Sequence, residues 1–226
     1  MPSMHPLVVL TAPRPAGMSY LEQTLDSLAA AGPWNGPKII LSDGDVGLTA
    51  PPPGWAHVLQ PAQGQAKAMW SAFRLALAMD ANYLTFFEDD VHLCRNALPY
   101  IEAREVPDGL AFVTWFDATR RMAPEPGLFH ERLSASEGKH FQGACALTLP
   151  ARTLQMAVKH SMVASWPLRT YGDGLLGKVL DGMDYGVHIP NLVQHVGAVS
   201  AAGNPGGLTQ GRSSPTYPGD DHDALG

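Results

Sequence analysis

The apolar run Tyr83-Leu-Thr-Phe-Phe87 passes without a break into three acids, Glu88-Asp89-Asp90. The run reads as a buried strand, and a buried strand does not end on clustered carboxylates without compensation. Desolvated like charges repel, and each raises its neighbour's pKa unless a cation lies between them. A divalent metal is the economical compensation, because hard cations such as Mg²⁺ and Mn²⁺ take carboxylate oxygens and bind diphosphates at the same time. In open α/β sheets, ligands collect at the carboxyl ends of strands, where this cluster is expected. The alternative for so short a motif is a solvated acidic turn.

The segments before the triplet alternate strand and helix. Leu7-Val-Val-Leu-Thr11 reads as a buried strand. Ser19 is the expected N-cap of a helix carrying Leu21, Leu25 and Leu28, with Glu22 completing a capping box. Gly32 and Pro33 stop that helix, and Lys38-Ile-Ile-Leu-Ser-Asp43 is the second strand. His57–Gln60 is a short third strand, and Gly64 opens a helix running from Gln65 to about Met79. This order predicts a single α/β domain with a mainly parallel sheet between helices. Right-handed crossovers bring the loops after Thr11, Asp43 and Phe87 to one sheet edge.

The second half is less regular. Leu110–Phe116 and Gly143–Leu149 read as strands separated by a polar loop. Arg120, Arg121, Arg132, Lys139 and His140 fall in or beside that loop and read as a solvated basic cluster. Ala151–Ser161 and the stretch from Gly172 are helical, Tyr185–Ile189 is a strand, and Asn191–Val196 is a strand or loop returning towards the site. From Gly203 the chain is rich in Gly, Pro, Ser and Asp. The division expected is therefore a catalytic domain over 1–202 and a mobile tail or lid over 203–226.

Composition excludes several classes. A net charge of -6 argues against a strongly basic nucleic-acid surface. Cys94 and Cys145 form no CxxC pair and read as buried thiols. No signal-peptide pattern opens the sequence, and no apolar run approaches the roughly 20 residues of a membrane span. A cytoplasmic setting follows. Gly32–Lys38 has the wrong spacing for a phosphate-binding Walker loop, and no GxGxxG follows the first strand.

Taken in order, the motifs resemble those of metal-dependent glycosyltransferases of the GT-A fold. They are Thr11-x-x-Arg14, a strand ending in Asp43, Gly64-Gln-x-x-Lys67, Glu88-Asp89-Asp90, Tyr171-Gly-Asp-Gly-Leu175 and Gln194-His-Val-Gly197. The triplet is similar to that family's DxD motif. Pro190–Gly197 is similar to a late segment of N-acetylglucosaminyltransferase-like members. The resemblance spans about residues 7–200.

It implies a UDP-sugar donor, with Mn²⁺ or Mg²⁺ bridging the diphosphate. Asp90 is then the leading metal ligand, with Glu88 near ribose, metal or bound water. Asp89 faces the donor sugar or serves the structure. Asp43 reads the base, and Thr11 and Arg14 touch the nucleotide. Lys67 approaches phosphate or sugar, or is an exposed helix lysine. His195 is the second metal ligand, favouring Mn²⁺, or a hydrogen-bonded buried histidine. Asp173 is the general base of an inverting transfer, or a helix cap. Trp115, Asp117, Gln142 and Gly143 line the sugar site, with core packing the alternative for Trp115 or Phe116.

The acceptor is a hydroxyl on a glycan, protein, lipid or small molecule, with a hydroxymethylated DNA base also compatible. Three other functions compete. A nucleotidyltransferase would need a Gly-rich basic loop where Ala12-Pro-Arg-Pro-Ala-Gly17 stands. The others are an inert nucleotide- or sugar-binding domain and a hydrolase using Asp43, Asp45, Asp89 and Asp90.

Overall fold

The computed structural model describes residues 4–14, 19–118, 126–134, 141, 143–160, 172–198 and 213–226. The main sheet is built from β1 (Leu7–Thr11), β2 (Lys38–Asp43), β3 (Trp55–Gln60), β4 (Tyr83–Glu88), β6 (Leu110–Thr114), β7 (Gly127–Arg132), β8 (Ala146–Pro150) and β9 (Asp184–Ile189). Their spatial order is β3-β2-β1-β4-β8-β6-β9-β7. β1, β2, β3 and β4 pair in parallel, as do β6 and β9. β8 runs antiparallel to both β4 and β6, and β7 runs antiparallel to β9. Two antiparallel steps through β8 return β6 to the direction of β4. All strands but β7 and β8 therefore point the same way. The carboxyl ends of β1, β2, β4 and β6 share one edge with the amino ends of β7 and β8. This is the mixed, mainly parallel α/β sheet that the strand and helix pattern predicts.

Strand alternation feeds two cores. Val8 and Leu10 of β1, with Leu84 and Phe86 of β4, face the helices α2 (Gln65–Ala78), α4 (Ala151–Lys159) and α5 (Gly172–Val179). Leu7, Val9 and Phe87 face α1 (Leu21–Ala30) and α3 (Ala97–Glu102) on the other side. Trp70 and Phe73 of α2 are fully buried, and the Trp70 indole N–H donates to the Ala157 carbonyl of α4. A side chain such as Phe73 contributes about 3–5 kcal/mol by the cost of its truncation.

A second, two-stranded ribbon pairs β5 (Val91–Leu93) with β10 (Val193–His195). It sits directly after the acidic triplet. Residues 213–226 pack beside it: Ser214 is buried, Arg95 donates its backbone N–H to the Asp220 carbonyl, and Asp223 accepts from Asn96. Of the expected tail, residues 203–212 lie outside the described residues, as do Arg120, Arg121, Lys139, His140, Gln142 and Tyr171.

Several elements depart from the sequence reading. Ser19 does not cap α1. Tyr20 holds the N-cap position, and the Ser19 hydroxyl accepts from the Leu21 amide two residues on, a local turn bond in place of a capping box. β3 starts at Trp55, two residues earlier than expected. The strand expected to run to Phe116 ends at Thr114, because the Thr114 hydroxyl turns back to the Phe116 carbonyl. β8 starts only at Ala146, after a turn that Gly143 enters at φ +152°. The expected polar loop contains β7, which owes its existence to pairing with a strand more than fifty residues later in sequence. α3 was not expected. Pro99 is tolerated in its first turn, and buried Leu98 and Ile101 hold it.

Candidate functional site

The acidic triplet lies at the carboxyl edge of β4, and its backbone is fixed before its side chains are. The fully buried Thr24 of α1 donates its hydroxyl towards the carbonyls of Asp89 and Val91 and accepts the Val91 amide. Glu88 donates its amide to the Cys145 carbonyl, and Val196 donates to the Asp90 carbonyl. This turn is thus held by α1 and by the residues flanking β8 and β10.

The three acids then take different partners. Asp89 faces Arg14 in a two-pronged contact, 2.6 Å on each side, and also accepts the Thr11 hydroxyl at 2.5 Å. Burial raises the Asp89 pKa, against which Arg14 and Thr11 work. Burial also works against the Arg14 charge, but Asp89, Asp90 and Glu88 hold the guanidinium firmly protonated. Arg14 reaches Asp90 as well, at 3.1 Å, and lies over the Tyr20 ring. Asp89 is thus engaged within the turn by Thr11 and Arg14. Thr11 and Arg14, expected against a nucleotide, are engaged with Asp89 and the turn.

Asp90, Glu88 and His195 converge. One donor atom from each lies within 4.8 Å of the other two, and among the described residues this is the one such group of acids, histidines or cysteines. His195 Nε2 is 3.3 Å from Asp90 Oδ2. The other oxygen, Asp90 Oδ1, is buried and has no hydrogen-bond partner among the described residues. Burial opposes charge on Asp90, but His195 and Arg14 hold its carboxyl below the usual range. Glu88 behaves oppositely: burial, then Asp90, push it up to about 8, with Asp173 adding to the rise. The two neighbouring carboxyls are thus shifted in opposite directions, as a crowded acidic pocket favours. Gln65 donates to Glu88 Oε1 at 2.5 Å, while its own Oε1 is buried without a described partner.

This donor set fits a divalent cation. Two carboxylates and an imidazole are hard-to-borderline ligands, and the orphaned Asp90 Oδ1 is a buried acceptor that a cation would satisfy. Glycine is required beside it. A Cβ on Gly197 would fall 2.2 Å from Asp90 Oδ2.

The other expected residues divide. Asp173 lies inside the first turn of α5, where its Oδ1 accepts the Gly174 amide. Its charge is felt at Glu88. Asp43 is a buried bracket: its two oxygens accept the Gln63 and Gly64 amides at 2.8 and 2.9 Å, fixing the entry to α2. Lys67 is half-buried in the first turn of α2. Trp115 is buried and donates its indole N–H to Thr148. Phe116 is also buried, with its ring 6.1 Å from that of His195. Asp117 is buried and donates its amide to Asn191 Oδ1. Gly143 is demanded by the Phe116 carbonyl, which a Cβ would meet at 2.5 Å. Gln142 lies outside the described residues. Asp45 accepts the Gly47 amide at 2.8 Å in a local turn.

Thr24, Gln65, Gly197 and Asn191 also build this edge, although their residue types alone do not mark them as site residues. Gln65 falls inside the Gly64–Lys67 motif, and Asn191 and Gly197 fall inside Pro190–Gly197. Thr24, on the buried face of α1, had no signal of its own.

No protein-family model matches the chain, and no curated protein does. Among solved structures it is similar to the galactosyltransferase LgtC, crystallised with donor and acceptor sugar analogues. The identity is 12%, with 84% of this chain and 86% of that chain covered and a TM-score of 0.47. No helix of the described residues is long and apolar enough to cross a membrane.

Proposed function

We propose that this chain is a metal-dependent glycosyltransferase that moves a sugar from a UDP-sugar to an acceptor hydroxyl. The observation that carries the proposal is the convergence of Glu88, Asp90 and His195 at the carboxyl edge of a mainly parallel sheet, with Asp90 Oδ1 unsatisfied. Asp90 and His195 would hold Mn²⁺ or Mg²⁺, with Glu88 beside it, and the imidazole favours Mn²⁺. When bound, the ion supplies charge stabilisation to a diphosphate leaving group.

The protein's own groups do the rest. Arg14 fixes Asp89 and one oxygen of Asp90, leaving the other oxygen for a ligand. Asp173 accepts the acceptor hydroxyl proton in an inverting displacement, from a helix first turn whose N–H groups favour its charge. Asp43, through the loop it brackets, shapes the base pocket, and Lys67 faces the phosphates. Asp117, Gly143 and Gln142 border the sugar, and Trp115 supports them from the core. The acceptor is a glycan, protein, lipid or small-molecule hydroxyl, with a hydroxymethylated DNA base less favoured by the charge of -6. Cys94 and Cys145 are buried and form no disulfide, in keeping with a cytoplasmic setting.

Calorimetric titration of UDP and UDP-sugars, with Mn²⁺ and then with chelator, tests the reading. Metal-dependent UDP binding is expected. Absence of binding to every uridine nucleotide would overturn it, and binding with no transfer to any hydroxyl acceptor would favour an inert binding domain. Asp173→Asn should spare UDP binding and abolish transfer.

A further inference from the structure

We propose that the segment after residue 212 is a brace for the metal ligands, acting through Ser214 and Asn191 as positioning residues. This rests on the metal-dependent reading of the site. The hydrogen bonds of the brace lie outside the ligand triad.

Asp90 stands immediately before β5, and His195 is the last residue of β10. The separation of these two ligands is therefore set by the register of the ribbon, Val193↔Leu93 to His195↔Val91, together with the Val196 amide on the Asp90 carbonyl. A two-stranded ribbon this short is marginal by itself. Residues 213–226 hold both of its strands. On the β10 side, the Ser214 amide donates to Gln194 Oε1 at 2.8 Å, next to His195. On the β5 side, the Arg95 amide donates to the Asp220 carbonyl and the Ala224 amide donates to the Arg95 carbonyl, at 2.9 and 3.0 Å.

Asn191 is the hub. It is 1% exposed, and its Oδ1 accepts both the Asp117 amide at 2.7 Å and the Ser214 hydroxyl at 2.6 Å. Its Nδ2 donates to the His188 carbonyl at 2.6 Å, and its amide donates to the Thr216 hydroxyl. One buried side chain thus joins the end of β6, the end of β9, the approach to β10 and the segment after residue 212. A buried amide used at both ends has one orientation only, because any rotation leaves polar atoms unpaired. The sheet edge, the ribbon and the C-terminal residues are thereby held as one unit, with the imidazole of His195 four residues beyond the hub. Outer groups of this kind tune metal affinity without touching the metal.

The test is Mn²⁺ titration followed by electron paramagnetic resonance on the full chain, comparing the unmodified protein with Ser214→Ala, Ser214→Thr and Gln194→Met. Thermal melting of each sample runs in parallel. Ser214→Ala is expected to bind Mn²⁺ about tenfold more weakly while still folded at the assay temperature. Ser214→Thr, which keeps the hydroxyl, should restore affinity. Gln194→Met cuts the other clamp from a half-buried position and should weaken binding even if Ser214→Ala does not fold. Unchanged Mn²⁺ affinity in Ser214→Ala and Gln194→Met would overturn the brace and leave the metal site standing. Equal losses in Ser214→Ala and Ser214→Thr would assign the effect to packing and also overturn it. Failure of the unmodified protein to bind Mn²⁺ would overturn the metal reading itself, and the brace with it.

Discussion

Glycine 197 shows how tightly single atoms constrain the site. A methyl group there would lie 2.2 Å from Asp90 Oδ2 and 2.8 Å from its Cγ, so Gly197→Ala must displace either the carboxylate or the β10 exit. Unfolding in denaturant should show a loss of about 1–3 kcal/mol. Mn²⁺ affinity should fall with it. Gly174→Ala is the control: nothing lies within 4 Å of its added Cβ, and it sits in a helix, so stability should hold or rise by up to about 1 kcal/mol. Equal stabilities for the two variants would contradict the close approach at Gly197. Arg14→Gln makes the complementary change. It leaves Asp89 buried with Thr11 but without its ion partner, and breaking a buried pair from one side costs about 3–5 kcal/mol. Denaturant midpoints would show a much smaller loss if Arg14 were a nucleotide contact with no part in the turn.

Cross-links between elements carry a pH signature. His5, just before β1, bonds Thr85 of β4; Thr85 bonds Thr148 of β8, which accepts the Trp115 indole. The ring also packs edge-on against Trp34. Burial lowers the His5 pKa from 6.5 to about 4. Between those values the unfolded chain takes up a proton that the folded chain refuses. The His5 contribution is therefore complete above pH 6.5 and is lost as pH falls towards 4, by on the order of 3 kcal/mol. Glu88, raised to about 8, tilts stability the other way between its unfolded value of 4.5 and 8, so the informative quantity is the difference from His5→Gln. Denaturant unfolding from pH 7 to 4.5 should give a steeper loss in the unmodified protein; parallel curves would refute a neutral buried His5. The same network explains what the sequence could reveal. Apolar runs such as Leu7–Thr11 and Tyr83–Phe87 announce their strands because both faces are buried, and the triplet announces the edge because acids end such a run. β7 carries no such signal: Gly127-Leu-Phe-His-Glu-Arg132 is half-exposed and exists through its partner β9. Asp43 and Asp89 are legible as acids at strand ends but not as brackets, since their amide, hydroxyl and guanidinium partners lie 20 to 78 residues away.

At the scale of the whole molecule, the polarity of the sheet concentrates negative charge at one edge. β1, β2, β4 and β6 all end there, bringing Asp43, Glu88, Asp89, Asp90 and Asp117 to one side, while the described cation closest to the triplet, Arg14, is already shared between Asp89 and Asp90. Such an edge is under electrostatic load, which Glu88 relieves by keeping its proton near neutral pH. On the proposed metal-dependent reading, a divalent cation would relieve it in the folded state alone, because only folding joins Asp90 to His195 across more than one hundred residues. Metal binding must then stabilise the entire fold by mass action, by about 2.7 kcal/mol at a free concentration one hundred times the dissociation constant. For a domain of this size that corresponds to a rise in melting midpoint of roughly 5–10 °C. Thermal melts with excess Mn²⁺ and with chelator should differ by this amount in the unmodified protein, and by little in Asp90→Asn, where one carboxylate of the triplet becomes an amide. A shift of the same size in Asp90→Asn would mean that the stabilising cation binds elsewhere, and the acidic edge would then be stabilised by Arg14 and the Glu88 proton alone.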